Sequence, residues 1–293
     1  RRGELMTRIR GFEEIAKDMG DVGMFWTITA PSKYHAVLSK SGEINPSYKG
    51  ASPREAQAYL CSVWARIRSA LKRQGIQPYG FRIAEPHHDG CPHWHMLLFC
   101  NKNHVAGAEK TIRSYALAED GNERGAEENR VKLVHIEAGK GTAAGYVAKY
   151  VAKNIDGAHV GDHKTADGWV VTSDLLGGEE IAPSARVTLW SQLHGIRQFQ
   201  QIGGAPIGVW RELRRVKAET IYKASDDVKQ AWKAAQRNGE DLADFSLYVK
   251  AMGGATIGRA ARIQLAKKET EIQGRYATYK QDKPCGVYSV SNA

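Results

Sequence analysis

The stretch FRIAEPHHDGCPHWHMLLFC, residues 81–100, reads as two strands and the turn between them, and the rest of the fold is built around it. FRIAE (81–85) and HWHMLLFC (93–100) are rich in aromatic and strand-favouring residues, and PHHDGCP carries the Asp89-Gly90 step that suits a tight turn. The spacing predicts an antiparallel hairpin. Residues two apart on a strand project from one face, so His93 and His95 point the same way. The antiparallel register brings Glu85 beside His93. Two imidazoles and a carboxylate leave coordination positions open, which is the composition of a catalytic divalent-metal site rather than a closed structural one. His87 shares the parity of Glu85 and competes with it, but Pro86 breaks the ladder first, so Glu85 is the expected third ligand. Two rival sets stay open. Cys91 with His87, His93 and His95 could make a structural zinc site, although no second Cys lies within a few residues. The His/His/Glu set could also hold Fe(II) for oxygen chemistry, although nothing else in the chain suggests a redox cosubstrate. A single strand histidine is more often packed or solvent-exposed than a ligand; the concentration of His, Glu and Asp around this pair favours metal.

Outward from the hairpin, GMFWTITA (23–30) is β-branched and aromatic, ends at Pro31, and predicts a strand. Residues 52–74 predict a helix. Ser52 caps it, Pro53 fits the first helical position, Glu55 completes a capping box, and Tyr59, Leu60, Val63, Trp64, Ile67 and Leu71 recur at three and four before Gly75. A helix over 105–118, a polar loop DGNERGAEEN (120–129) and a strand RVKLVHIEA (130–138) follow. GYVAKYVAKN (145–154) predicts a helix, with Thr142 as N-cap and Gly157 just past its end. The order β-α-β-β-α-β-α is an α+β arrangement of the ferredoxin-like, split βαβ kind, with helices on a central antiparallel sheet.

Beyond residue 158, Gly177-Gly178, Gly203-Gly204 and Gly253-Gly254 separate amphipathic segments at 184–201, 208–224 and 226–251. The expected organisation is a core over 1–160 and a mainly helical C-terminal region over 161–293, packed on the core and contacting DNA. Trp190, Phe199 and Trp210 sit among basic residues, yet at helical spacing the core reading leads over base-stacking platforms. Partial alternation at Tyr276, Thr278, Val287 and Ser289 suggests a small terminal hairpin.

The chain has 293 residues, 42% hydrophobic and 25% charged, as a globular protein with one large core or two modest ones requires. It has no run of eighteen apolar residues, and RRGELMTRIRGFEEIAKDMG (1–20) lacks an apolar signal-peptide core, so neither a membrane span nor a secretory signal is expected and the default address is cytoplasmic. It begins at Arg1 without an initiator Met, as an excised piece of a longer protein would. Cys61, Cys91, Cys100 and Cys285 form no CxxC pair, which argues for reduced thiols. The net charge of +10 favours a polyanionic partner, against the plainer reading of surface lysines that serve solubility.

Within GYVAKYVAKN the unit Tyr-Val-Ala-Lys occurs twice. Four helical residues advance by ~400°, so Tyr146 and Tyr150 share a face about 6 Å apart along the axis. Lys149 and Lys153 each lie three residues beyond a tyrosine. A phenol with a pKa of about 10 is a poor nucleophile at neutral pH, but a neighbouring ammonium favours the phenolate or protonates a leaving oxygen. Taken alone, the stripe is an ordinary amphipathic helix. Combined with a divalent-metal site that neutralises a phosphate, it supplies an attacking oxygen.

FWTITA (25–30), PHWHMLLF (92–99) and GYVAKYVAKN (145–154) resemble motifs one, two and three of the HUH endonucleases. The doubled Tyr-Val-Ala-Lys resembles the replication initiator (gene A protein) family of tailed and small single-stranded DNA phages and their prophages. IRQFQQIGGAPIGVWRELRR (196–215) is similar to the segment that follows the core in that family. The resemblance spans residues 5–215 and implies a rolling-circle initiator. Such an enzyme binds an origin, holds the scissile phosphate of single-stranded or extruded DNA on Mg2+ or Mn2+, and lets a tyrosine attack. The products are a 5′-phosphotyrosine bond and a free 3′-OH that primes the host polymerase. By position, His93 and His95 match the two motif-two ligands, Glu85 the third, Tyr146 and Tyr150 the paired nucleophiles, and Lys149 and Lys153 the lysines of that helix. The implied partners are origin DNA and the host replication helicase and polymerase, in the cytoplasm of a bacterial host. Two competing functions are a non-catalytic origin-DNA-binding protein and a relaxase-type DNA-transfer nickase; relaxases typically place the tyrosine before the histidines, the reverse of the order here.

Overall fold

A computed structural model describes residues 2–38, 41–136, 142–147, 150, 183–237 and 242–290. The chain divides into two compact units, Ala16–Ile202 and the pair Gly3–Ile15 with Gly203–Ala293. Among the described residues, no helix is long and apolar enough to cross a membrane.

The first unit is built on five strands: β1 (Asp21–Thr29), β2 (Tyr79–Pro86), β3 (Pro92–Asn101), β4 (Val131–Ile136) and β5 (Phe199–Ile202). Their order is β4-β1-β3-β2-β5, with every neighbour antiparallel. The order of the first four, and the helices between them, are those of the expected split βαβ arrangement. Helix α2 (Pro53–Arg73) starts where its sequence dictates: Ser52 Oγ accepts from the Glu55 N–H, the Glu55 side chain accepts from the Ser52 N–H, and Pro53 needs no donor there. Helix α3 (Val105–Ala116) and the short α4 (Ala126–Asn129) precede β4.

Alternation along the two central strands sorts their side chains. Met24, Trp26 and Ile28 of β1, with Trp94, Met96 and Leu98 of β3, pack against Leu60, Val63, Ile67 and Leu71 of α2 and Ile112 of α3. The residues between them, Phe25 and Thr27 on β1 and His93 and His95 on β3, therefore belong to the other face of the sheet. That parity places the functional groups.

β5 begins within the amphipathic segment 184–201 and ends just past it, at Ile202; the helix of that segment is α6, Pro183–Leu193, and the helical segment 143–147 is numbered α5. Four residues, FQQI, carry too little pattern to predict a strand, and the open edge of β2 supplies the pairing. At α5 the Thr142 hydroxyl accepts from the Gly145 N–H at 2.9 Å, the N-cap expected of it, and Tyr150 is also helical.

In the second unit, Leu5, Ile9, Phe12 and Ile15 of α1 (Arg2–Met19) are buried at helical spacing. Helices α7 (Ile207–Leu213), α8 (Ala218–Ile221), α9 (Asp226–Ala235) and α10 (Phe245–Met252) follow, and the strands β6 (Ile263–Gln273) and β7 (Thr278–Ser289) form a separate two-stranded ribbon. Trp210 is a core residue: its ring meets Phe245 at 5.2 Å and Tyr248 at 5.0 Å, and Phe12 meets Phe245 edge-on at 5.6 Å.

Candidate active site

The β2–β3 ladder pairs Glu85 with His93, and the β1–β3 ladder pairs Thr27 with His95. Adjacent strands thus bring three potential ligands and a hydroxyl to one patch. His93 Nε2 and His95 Nε2 are 2.9 Å apart, and Glu85 Oε2 lies 4.0 Å from the first and 3.8 Å from the second. The three ligand atoms all lie within 4.8 Å of one another, a spacing that could hold a metal ion. Two ring nitrogens at 2.9 Å cannot both present lone pairs to each other; a proton or a cation between them resolves the repulsion. The Glu85 side chain is 1% exposed, and a carboxylate so buried requires positive charge or donors nearby. The donor set therefore fits a divalent cation.

Thr27 Oγ1 is 3.0 Å from His95 Nδ1. When Nδ1 carries the proton and donates to the hydroxyl, Nε2 is left as the ligand atom, which is how a second contact fixes a metal-binding imidazole. Cys91 is not in this group. It packs into the hydrophobic core, where burial and the charge of Asp89 push its thiol up, so the Cys91/His87/His93/His95 zinc set is not assembled. His87 instead packs against His93 with the rings tilted, centroids 4.1 Å apart.

The turn between β2 and β3 is anchored from outside the hairpin. Asp89 accepts from the Cys91 N–H at 3.0 Å within the turn and from the Ala36 N–H at 3.1 Å, and its other contact is His35 Nδ1 at 3.0 Å. Burial alone would raise the Asp89 carboxyl; the hydrogen bond and charge of His35 and the Cys91 N–H hold it below its ordinary value.

Tyr146 and Tyr150 lie over the same face of the sheet. Phe25 meets Tyr146 edge-on at 4.6 Å, Tyr150 in a stack at 5.1 Å, and His95 in a stack at 5.7 Å. The two tyrosine rings are 6.3 Å apart, and Tyr150 lies 4.2 Å from the His95 ring. Their surroundings differ. Burial, then the charges of Tyr146 and Glu85, push the Tyr150 phenol up to about 12, whereas Tyr146 is 41% exposed. Lys149 and Lys153 lie outside the described residues.

The structure thus brings together Glu85, His93, His95, Tyr146 and Tyr150. Sequence reasoning did not single out Phe25, Thr27 or His35. The first two could have been found by carrying the odd-numbered parity of β3 across to β1. His35, in irregular chain far from Asp89, carries no such signal.

A His/His/Glu cluster that could hold a metal ion and two tyrosines thus share one face of the sheet. Residues 1–158 match the family described as bacteriophage replication gene A protein (GPA). The replication gene A protein of Escherichia phage 186 is 43% identical over 297 residues, covering 99% of this chain and 40% of that protein. A probable replication protein of Pseudoalteromonas phage PM2 is 42% identical over 295 residues, covering 100% of this chain and 43% of that protein. A probable replication endonuclease from a prophage-like region of Salmonella paratyphi A is 35% identical over 269 residues, 88% of this chain and 32% of that protein. The chain therefore spans less than half the length of these curated relatives. With a family match over more than half of its residues, and the buried cluster lying within that match, the chain belongs to the bacteriophage replication gene A protein family.

Proposed function

We propose that the chain initiates rolling-circle replication by nicking and rejoining one strand of origin DNA through a covalent 5′-phosphotyrosine, with Tyr146 and Tyr150 as alternating nucleophiles. The observation that carries this reading is the contact of Tyr150 with His95, one of the three clustered ligands. The names of the relatives, replication gene A protein and probable replication endonuclease, support the substrate class.

Glu85, His93 and His95 would hold Mg2+ or Mn2+, which when bound neutralises the scissile phosphate and polarises its P–O bonds. Thr27 keeps His95 in the ligating tautomer, and Phe25 sets the two phenols beside the cluster. The phenol oxygen forms a bond to phosphorus as the bond to the 3′-oxygen breaks. The phenol proton passes to solvent, and the leaving oxygen takes up a proton to become the 3′-OH. A tyrosine is a phenol at neutral pH, and burial pushes Tyr150 further up, so its deprotonation is coupled to attack. Lys149 and Lys153 are assigned the protonation of the leaving oxygen. The 3′-OH then primes the host polymerase behind a host helicase, in the cytoplasm of the bacterial host.

A second tyrosine is useful because the first stays joined to DNA after initiation. The other can cut the regenerated origin, so that ends are exchanged and no broken strand is released. The test is cleavage of origin-derived single-stranded DNA with Mn2+. Wild type should cut at one position, His93→Ala should not cut while still binding DNA, and cleavage by His93→Ala at the wild-type rate would refute the assignment.

A further inference from the structure

The β6–β7 ribbon is fixed at one end and exposed along the rest of its length. Its base is fixed: Ile263 and Ser289 are buried, the Ser289 hydroxyl donates to Asp227 Oδ2 at 2.6 Å, and the Val290 N–H donates to the Arg262 carbonyl. Beyond the bulge at Ala266/Lys267 nearly every side chain is exposed, to a tip where Tyr276 is 90% exposed with Arg275 over its ring. Eleven and twelve residues per strand make an arm about 35 Å long. A two-stranded hairpin with no packed face is marginal in water, so a partner along the exposed part would stabilise it.

The register separates its charges. Lys268 pairs with Lys283, Thr270 with Gln281, and Ile272 with Tyr279, all on one face. The ribbon's three acidic residues, Glu269, Glu271 and Asp282, lie on the opposite face, where Lys280 bridges to Glu269 at 2.8 Å. Two lysines directly opposite each other repel, and no carboxylate on their own face offsets that. An anion must. Beyond the lysines, the same face offers a hydroxyl, an amide and a phenol, groups that read base edges.

We propose that this face of the β6–β7 ribbon lies in the major groove of duplex DNA, with Lys268 and Lys283 on phosphates and Thr270, Gln281 and Tyr279 toward the bases. A two-stranded ribbon matches a groove about 12 Å wide. The inference rests on the reading of the chain as a DNA-acting initiator. It adds a duplex-binding surface distinct from the single-strand chemistry of the His/His/Glu site.

The test is fluorescence anisotropy of the whole chain on a short labelled origin duplex across a NaCl series. Lys268→Ala with Lys283→Ala should weaken duplex binding on the order of tenfold and lower the log–log salt slope by about 2, while single-strand cleavage stays at the wild-type rate. Glu269→Gln with Asp282→Asn, on the other face, should leave affinity unchanged or raise it. Thr270→Ala with Gln281→Ala should narrow the gap between origin and unrelated duplex without changing the slope. Should a lysine variant melt early, Lys268→Gln with Lys283→Gln replaces it. An unchanged affinity and slope in the lysine variants overturns the proposal, as does an equal loss on single-stranded and duplex DNA. If wild type cleaves no single strand, the nicking reading fails, and the ribbon still stands or falls on duplex binding alone.

Discussion

The imidazole of His95 and the phenol of Tyr150 lie 4.2 Å apart, ring centroid to ring centroid, although 55 positions separate them in the chain. Strand β3 delivers the first and the helix after β4 the second, so the proposed nucleophile and the proposed metal ligand meet only in the folded protein.

Thr27 positions His95 and touches neither DNA nor ion in this account. Thr27→Ala should weaken Mn2+ binding by about 10- to 100-fold in isothermal titration, and Thr27→Ser, which keeps the hydroxyl, should restore most of it. A structural role alone would lower the melting temperature without this Mn2+ dependence.

His93→Ala removes a ligand from the cluster. Cleavage should fall by roughly 10^3-fold or more, the equivalent of several kcal/mol of transition-state charge stabilisation. Chelation of the divalent ion should silence wild type to the same extent, and added Mn2+ should rescue wild type and not the variant.

Phe25 is the ring shared by both tyrosines and His95. Phe25→Leu should keep Mn2+ affinity near wild type but slow cleavage by roughly tenfold, since misplaced reacting groups cost rate rather than binding. Equal loss of metal affinity would show that Phe25 instead supports the ligands.

Asp89→Asn tests the anchor of the β2–β3 turn. The buried carboxylate contacts His35 and accepts from two backbone N–H groups, so the substitution should cost about 1–3 kcal/mol in urea unfolding. Its depressed pKa means that the unfolded chain takes up the proton first as pH falls. The stabilisation is complete above the ordinary Asp value of about 3.9 and is lost as pH drops through the lower folded value. The variant should lack that part of the acid sensitivity.

The site was legible because its ligands share one hairpin. Strand parity and the Asp89-Gly90 turn were enough to pair Glu85 with His93, and the Ser52/Glu55 capping box located α2. Contacts between distant segments were not legible. The stripe Leu5, Ile9, Phe12 and Ile15 is helical, but the charges between its members made the N-terminus read only as a stretch without a signal core. β5 exists because the edge of β2 offers a ladder, a tertiary fact that four residues cannot announce. The terminal hairpin was visible as partial alternation, yet its length was not, because an exposed ribbon needs no apolar stripe along either face.

Covalent catalysis by the paired tyrosines can be read out by incubating the protein with Mn2+ and labelled origin-derived single-stranded DNA, then resolving the products in SDS and mapping the DNA-linked residue by mass spectrometry. An SDS-resistant adduct should form on Tyr146 or Tyr150, once in each single Tyr→Phe variant and not in the double variant. An adduct that persists in Tyr146→Phe with Tyr150→Phe, or cleavage with no adduct in wild type, would contradict covalent catalysis by this pair.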